Sequence, residues 1–504
     1  MNIKSILHSS LIALSAISAS CFIIFSQDIT AYSEETNEAA AMTTTQATPV
    51  DITINKVNSQ SQSDITAVMT DGSYDTTCNV TSKDYLSIEA NAPIYGIYIL
   101  WDSEVSDYTL SYKTSDGTNS DITCGMYGYM HDYIPIEDGA ASVTIRTSAD
   151  MSVSDIYAYS YGTPPDSVQI WQPPCEDDTD ILVFSTHADD EILFLGGVLT
   201  NYGGEQGLNV QVAYMCDFFL TEPVRQHEEL DGLWECGITH YPVNGGFMDL
   251  YSLDLETAMT QYDYDDIVSY AVSSIRRFKP LVCVSQDFNG EYGHGNHRIY
   301  AKAVADAVNS SANTDFNEES ADTYGIWDVP KTYYHLYDSH TILLDVDSPL
   351  DRFNGDTSVD VLKRAFKKHV SQISYSFNVM DNGYAKTYWG NYNSRSFGLY
   401  RTNAGYDTGN DMMENVMAIH KEREEKKAAK LAASTAAMQT EAASDDSGNN
   451  TDTTDKANTP DIKQLAITLI AILIIGAVIC GQAYRTRNLY KKKYNDNKDE
   501  FNKQ

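Results

Sequence analysis

Apolar and polar positions are arranged in different ways along this chain, and each arrangement implies a different structure. From position 181 the run Ile-Leu-Val-Phe-Ser is apolar almost without a break, as in a buried strand. Thr186-His-Ala-Asp-Asp-Glu191 follows at once, and then Ile192, Leu193, Leu195, Val198 and Leu199 recur at helical spacing. The polar cluster therefore sits at a strand-to-helix turn. The same alternation continues, with strand 210–216, helix 225–236, helix 265–278, strand 281–285, helix 297–308, strands 332–337 and 341–344, and helix 359–372. It predicts an α/β fold, a Rossmann-like parallel sheet with helices on both faces. In such a sheet the turns at the carboxyl ends of the strands face the ligand crevice. Segment 376–405 is rich in Tyr, Asn and Gly and is expected to form substrate-facing loop and edge structure.

Ahead of this region, 51–163 shows short runs of period two, punctuated by turn pairs such as Asp71-Gly72 and Asp116-Gly117. Regular short strands of this kind predict a β-sandwich, similar in pattern to galactose-binding or discoidin-like modules. Its aromatic residues (Tyr95, Tyr98, Trp101, Tyr127, Tyr129, Tyr133) suit sugar stacking, but Tyr and Trp also favour strand faces for packing alone. Pro164-Pro165 and Pro173-Pro174 bracket a rigid linker to an α/β domain spanning 175–408.

The ends carry other signals. Lys4 followed by an apolar stretch to Phe25 reads as a signal peptide over 1–33, with an uncleaved anchor or a lipoprotein box at Ser18-Ala-Ser-Cys21 as alternatives. A flexible lead-in covers 34–50. A charged helix is expected over 411–433 and a disordered stalk over 434–461. An apolar span over 463–484 is long enough to cross a bilayer as a transmembrane helix. Arg485, Arg487 and Lys491–Lys493 follow it and mark 485–504 as a cytoplasmic tail, with the rest of the chain outside the cell membrane.

Formal net charge is −37, from 71 acidic residues against 34 Lys and Arg, which excludes a nucleic-acid partner because phosphate contact needs a basic face. No G-x-G-x-x-G motif is present, so no nucleotide cofactor is expected. Six cysteines lie outside the signal and the span. Cys216 and Cys283 fall in core strands as buried thiols, and Cys78–Cys124 is the pair to consider for a disulfide.

The chemistry concentrates at two strand ends. The first carries His187, Asp189, Asp190 and Glu191, and the second carries Tyr292-Gly-His-Gly-Asn-His297. One His and one carboxylate from the first, with one His from the second, form an open three-ligand zinc site, the arrangement of catalytic zinc with a water in the fourth place. His187-Ala-Asp-Asp-Glu191 resembles the H-P-D-D-E box of the PIG-L/LmbE family of zinc-dependent N-acetylglucosaminyl deacetylases, and 292–297 resembles its later H-P-D-H box. Arg225-Gln-His-Glu228 with Cys236-Gly237 is similar to an R-x-x-E helix ending in Leu-Gly, and Lys368-His-Val-Ser-Gln372 to an H-x-S-Q segment. The resemblance covers roughly 178–405. Ala188 stands for the usual Pro, and Gly295-Asn296 for Pro-Asp, which removes a carboxylate able to orient a histidine ligand.

On this resemblance His187, Asp190 and His297 are the metal ligands and Asp189 the general base. His294 acts electrostatically or as an acid, and Tyr292 donates to an oxyanion. Arg225 and Asp249 are candidates for holding sugar hydroxyls or a substrate anion, although Arg225 also suits a surface ion pair and Asp249 a turn. Glu191 fits a helix start, His369 is taken as structural, and His227, His240, His335 and His340 as ordinary histidines. The expected activity is removal of an N-acetyl group from an amino-sugar glycan or glycoconjugate outside the cell. The alternative is a surface protein whose α/β domain has lost activity and whose β-sandwich binds glycan.

Overall fold

A computed structural model describes residues 45–444 except Leu220 and Tyr375. The expected signal peptide, most of the lead-in and stalk, the apolar span and the tail lie outside the described residues. Among the described residues no helix is long and apolar enough to cross a membrane. Residues 44–417 form one compact unit.

The first part of that unit is antiparallel β-structure. Its strands are β1 (Ile52–Val57), β2 (Gln62–Asp64), β3 (Cys78–Val80), β4 (Tyr85–Trp101), β5 (Tyr108–Thr114), β6 (Asn119–Cys124), β7 (His131–Thr147) and β8 (Met151–Tyr159). They hydrogen-bond into one eight-stranded sheet. β4 and β7 are each 17 residues long. The first half of β4 pairs with β1 and its second half with β8, and the register against β7 shifts between Glu89 and Gly96. Alternate residues of β4 (Leu86, Ile88, Ile97, Ile99, Trp101) fill one apolar core with Leu110, Val143, Ile145 and Ile156. The Cys78–Cys124 pair does not form. Both are free thiols, because β3 pairs with β8 whereas β6 pairs with β5.

The second part is a mixed α/β domain with a mostly parallel sheet of seven strands. β9 (Ile181–Ser185), β10 (Val210–Cys216), β11 (Val243–Phe247), β12 (Val282–Ser285) and β13 (Lys331–His335) run parallel, while β18 (Ser396–Thr402) runs antiparallel to both of its neighbours, β13 and β14 (Ile342–Leu343). The order is β11-β10-β9-β12-β13-β18-β14, so the winding reverses between β9 and β12. Side chains alternate between two cores. Ile181, Val183, Val212 and Val284 face one, and Leu182, Phe184, Ala213 and Cys283 face the other.

Several predicted elements differ in detail. The helix expected over 190–202 is broken into α1 (Asp190–Leu193), α2 (Gly196–Val198) and a π-helical turn (Leu199–Glu205). At Gly196 a Cβ would stand 2.3 Å from a Leu362 methyl, so a larger residue there would have to displace that side chain. The next helices, α3 (Pro223–Glu235), α4 (Leu255–Gln261), α5 (Tyr264–Phe278), α6 (Gly295–Ser310) and α7 (Glu318–Tyr324), alternate with the strands. The helix expected to 372 is α8 (Ser358–Phe366) and stops early. Segment 376–405, expected as loop and edge structure, contains β18, which lies inside the sheet between β13 and β14, and a three-stranded sheet of β15 (Asn378–Val379), β16 (Ala385–Thr387) and β17 (Gly390–Tyr392). The charged helix is α9 (Met417–Ser444) rather than 411–433. Residues 412 and 414 give their carbonyls to the buried Lys331 ammonium, and Met412, Met413 and Val416 join the core.

The two parts meet through a buried polar network. His131 Nε2 of β7 lies 2.7 Å from His227 Nδ1 of α3. His131 Nδ1 meets Gln169 Oε1 at 2.7 Å, Gln169 Nε2 donates to Asp231, and so does the Tyr74 hydroxyl. Tyr74 stacks on the His227 ring at 4.1 Å. The linker takes part, with Trp171 buried against Trp234 and Tyr241. His227, read from sequence as an ordinary histidine, is thus an interface residue together with His131.

Burial drives both imidazoles down to about 3, in His131 with help from the neighbouring ring. Their unfolded value is about 6.5, so the unfolded chain binds more protons between these limits. Stability from this pair is complete above about pH 6.5 and is lost as pH falls toward about 3. Chemical denaturation from about pH 7 to about pH 4 should show a steeper loss for the wild type than for His227→Gln. Equal slopes would contradict this role.

Candidate metal centre

The winding reversal between β9 and β12 brings their carboxyl ends side by side, where an open α/β sheet places its ligands. The turn after β9 is strained. Asp189 has φ 126°, a conformation that suits glycine and is uncommon for any other residue. Its backbone N–H donates to Glu191 Oε2 at 2.9 Å, which holds the turn. The consequence is divergence of the two aspartates. Asp190 faces the histidines, whereas Asp189 Oδ1 lies 4.0 Å from the Arg225 guanidinium.

Three donor atoms converge. Asp190 Oδ2 is 2.9 Å from His187 Nδ1 and 3.0 Å from His297 Nε2, and the two nitrogens are 3.3 Å apart. Ligands placed tetrahedrally at bond lengths of about 2.1 Å would stand roughly 3.4 Å from one another. The donor set therefore fits a metal ion with little movement, and the cluster could hold one. His294 belongs to the same group of buried histidine donors, and Cys216 and Asp249 form a second group with His187.

Each histidine is oriented from behind by a carboxylate. His187 Nε2 lies 3.2 Å from Asp249 Oδ1. His297 Nδ1 lies 2.7 Å from Glu291 Oε2, whose other oxygen meets His335 Nδ1 at 3.0 Å. His335 is in turn bonded to the Asn393 carbonyl. The carboxylate expected to be missing at position 296 is thus supplied from elsewhere. Asn296 donates to Asp249 and to the Leu250 carbonyl, and so fixes the group that orients His187. Gly295 in place of Pro also has a reason: its N–H donates to Ser252 O, and a Cβ there would stand 2.3 Å from Asp254 O.

Arg225 is buried and used within the protein. It donates to the Ala188 carbonyl at 3.0 Å, approaches Asp249 at 3.7 Å, and lies over the Phe218 ring. Asp249 and Arg225, candidates for holding sugar hydroxyls or a substrate anion, are in this structure engaged with the histidine cluster and its turn. Glu291 and His335 were missed by sequence reasoning. The only available signal was their place beside the second box and at the end of a core strand.

The electrostatics favour a cation at the point of convergence. Burial opposes charge on His297, but Asp190 and Glu291 raise it to about 9. His187 is likewise raised against burial, by Asp249 and Asp190 among its neighbours. Against burial, the two imidazoles hold Asp190 well below the carboxylate range. A bound cation would take the place of these protons. Asp189 is raised to about 7 by burial and then by Asp190, with Arg225 opposing. His294 is lowered to about 2 by burial and by the charges on His297 and His187, so it is neutral near pH 7. Its Nδ1 is buried without a hydrogen-bond partner. Tyr292 is half-buried, with its ring 5.3 Å from His297 and 5.6 Å from His294. A cavity of about 270 Å³ lined by Gly207, Ile238, His240 and Arg352 shares no residue with this cluster.

A doubly wound sheet with a histidine–carboxylate cluster at its winding reversal defines the class: a metal-binding α/β domain. Comparison adds that residues 182–308 match the family model described as PIG-L: GlcNAc-PI de-N-acetylase. A 1D-myo-inositol 2-acetamido-2-deoxy-alpha-D-glucopyranoside deacetylase of Geodermatophilus obscurus is 32% identical over 91 residues, 18% of this chain and 30% of that protein. The deacetylase 1 of the same description from Catenulispora acidiphila is 25% identical over 180 residues, 31% of this chain and 54% of that protein. The chain therefore spans between about a third and about half the length of these two relatives. Among solved structures, the N,N'-diacetylchitobiose deacetylase of Pyrococcus horikoshii, complexed with its inhibitor MPG, has 18% identity. The match covers 40% of this chain and 72% of that one, with a TM-score of 0.31.

The two weaker boxes meet each other. After α8 ends, Ser371 donates from its N–H and hydroxyl to the two oxygens of Glu228. His369 Nε2 lies 3.3 Å from Glu191 Oε1. Glu191, which fitted a helix start, is thus a buried brace between the strained turn and this late segment. A mid-helix glycine usually gains about 1 kcal/mol when replaced by Ala. At Gly232 of α3, however, a Cβ would stand 2.6 Å from His369 Nε2. Gly232→Ala should instead destabilise the fold by about 1–3 kcal/mol through overpacking, measured by chemical denaturation. A gain in stability would contradict the docking of His369 on α3.

Proposed function

We propose that the α/β domain is a zinc-dependent N-deacetylase acting on an N-acetylglucosamine-type sugar or glycoconjugate. The observation that carries this reading is the convergence of His187 Nδ1, Asp190 Oδ2 and His297 Nε2 within 2.9–3.3 Å of one another. The family match over 182–308 and the two relatives described as deacetylases of an acetamido sugar support the chemistry and the substrate class.

Two imidazoles and one carboxylate suit zinc, and zinc when bound brings a water to a pKa of about 7 and polarises a carbonyl. The protein's own groups do the rest. Asp189 accepts the water's proton as the oxygen–carbon bond forms. Arg225 at 4.0 Å favours the ionised carboxylate this requires. Neutral His294 and the Tyr292 hydroxyl are hydrogen-bond donors for the oxyanion of the tetrahedral adduct. Asp189 then passes its proton to the amine nitrogen as the carbon–nitrogen bond breaks, releasing acetate and the free amino sugar. Asp249 and Glu291 hold the two ligand rings in the tautomers that present the correct nitrogen.

The placement of this activity at the outer face of a cell membrane, held by the span 463–484, belongs to the same proposal and is supported by the sequence pattern alone. Protease added to intact cells should degrade the α/β domain and spare the tail; protection of the domain would contradict an outward orientation.

Asp189 and Asp190 separate base from ligand. Loss of a positioned general base costs about 10²–10⁴ in rate. Asp189→Asn should lose that much acetate release while keeping its zinc by elemental analysis. Asp190→Asn should lose zinc and activity together, with partial recovery in excess zinc. If Asp189→Asn loses zinc and Asp190→Asn keeps it, the roles are exchanged. If Asp189→Asn stays fully active, the base lies elsewhere and His294 is the first candidate.

A further inference from the structure

An aromatic run passes through the centre and ends in open rings on both sides. Tyr251, 64% exposed, sits edge-on to His294 at 5.6 Å. His294 neighbours Tyr292 at 5.6 Å. Tyr292 stacks face to face on Trp389, with centroids 4.5 Å apart and planes 11° apart. Trp389 is 57% exposed at the tip of the β16–β17 hairpin, so one indole face is taken and the other is open. Phe377 flanks it, 6.3 Å from Trp389 and 5.2 Å from the exposed Tyr388.

Nothing in the fold accounts for leaving this indole in water. Of the chain's five tryptophans, Trp101 and Trp171 are buried, and Trp234 and Trp327 are partly buried with their Nε1–H bonded to backbone carbonyls. Trp389 is the exposed one, and an exposed aromatic cluster beside a site marks a binding surface. The apolar C–H face of a pyranose ring is the natural partner for an open indole face, and among the described residues no Lys or Arg lies over the rings of Tyr251, Tyr292 or Trp389 to recruit an anion instead.

We propose that Trp389 and Tyr251 are specificity-determining platforms for the sugars on either side of the one being deacetylated, so that the preferred substrate is an oligosaccharide of neutral N-acetylated sugars rather than a single sugar. This rests on the deacetylase reading above. A ring seated over His294 and Tyr292 leaves the open faces of Tyr251 and Trp389 for its neighbours in the chain.

The test uses the full chain with N-acetylglucosamine and tetra-N-acetylchitotetraose, measuring acetate release. Trp389→Ala should lose about tenfold in kcat/KM on the tetrasaccharide, mainly through KM, and leave the monosaccharide rate unchanged; stacking of one aromatic pair has about this worth. Trp389→Tyr should recover most of the loss. An equal loss on both substrates, or no loss on either, would overturn the proposal. If the wild type releases acetate from neither, the deacetylase reading has failed, and the platform is read separately by tryptophan fluorescence. Quenching by the tetrasaccharide that disappears in Trp389→Ala supports it, and absence of quenching overturns it. A concentration-dependent dimer abolished by Trp389→Ala would show that a second copy covers the patch, and would also overturn it.

Discussion

A single carboxylate oxygen holds this site together. Asp190 Oδ2 meets the His187 N–H at 3.0 Å and the rings of His187 and His297 at 2.9 and 3.0 Å. The two imidazoles come from different strand ends more than a hundred residues apart in sequence. They can share one oxygen only because β9 and β12 lie side by side and parallel. The winding reversal in the sheet is therefore a requirement of the chemistry as well as a feature of the fold. Asp190 must also point away from Asp189, and the positive φ at Asp189 achieves this. The cost of such a conformation, about 1–3 kcal/mol, is offset by Glu191, which accepts the Asp189 N–H and is itself braced by His369.

The surroundings extend this arrangement outward. Asp249 and Glu291 fix the rings, Asn296 and His335 fix those carboxylates, and Arg225 ties the Ala188 carbonyl to α3. Two residues after Arg225 the same helix buries His227 against His131 of the antiparallel sheet. One helix thus touches the metal centre with its first turn and the neighbouring sheet with its second. Packing at that interface and geometry at the centre share a backbone.

The sequence made the core of this legible because strand and helix periods are strong where burial is complete. β9, β10 and β12 are almost entirely apolar and were located to within a residue, which placed His187, Asp190 and His297 at adjacent strand ends. What it could not display was set by tertiary contact. β18 is a seven-residue strand inside a Tyr-, Asn- and Gly-rich stretch, and pairing with β13 overrides its composition. α8 stops at Phe366 because His369 and Ser371 are used on Glu191 and Glu228. Glu291 lies just before the second box and outside its pattern, and only its position behind His297 gives it a role. Asp249 and Arg225 read as candidate substrate contacts because their partners, a ring nitrogen and a backbone carbonyl, are invisible until the chain is folded.

The central claim is that His187 Nδ1, Asp190 Oδ2 and His297 Nε2 are the three protein ligands of one metal ion. The most direct measurement is anomalous diffraction at the zinc edge from crystals of the purified protein. The account predicts a single strong peak within about 2.2 Å of these three atoms. A peak centred instead between His187, Cys216 and Asp249, or zinc-loaded crystals with no peak at the switch between β9 and β12, would contradict it.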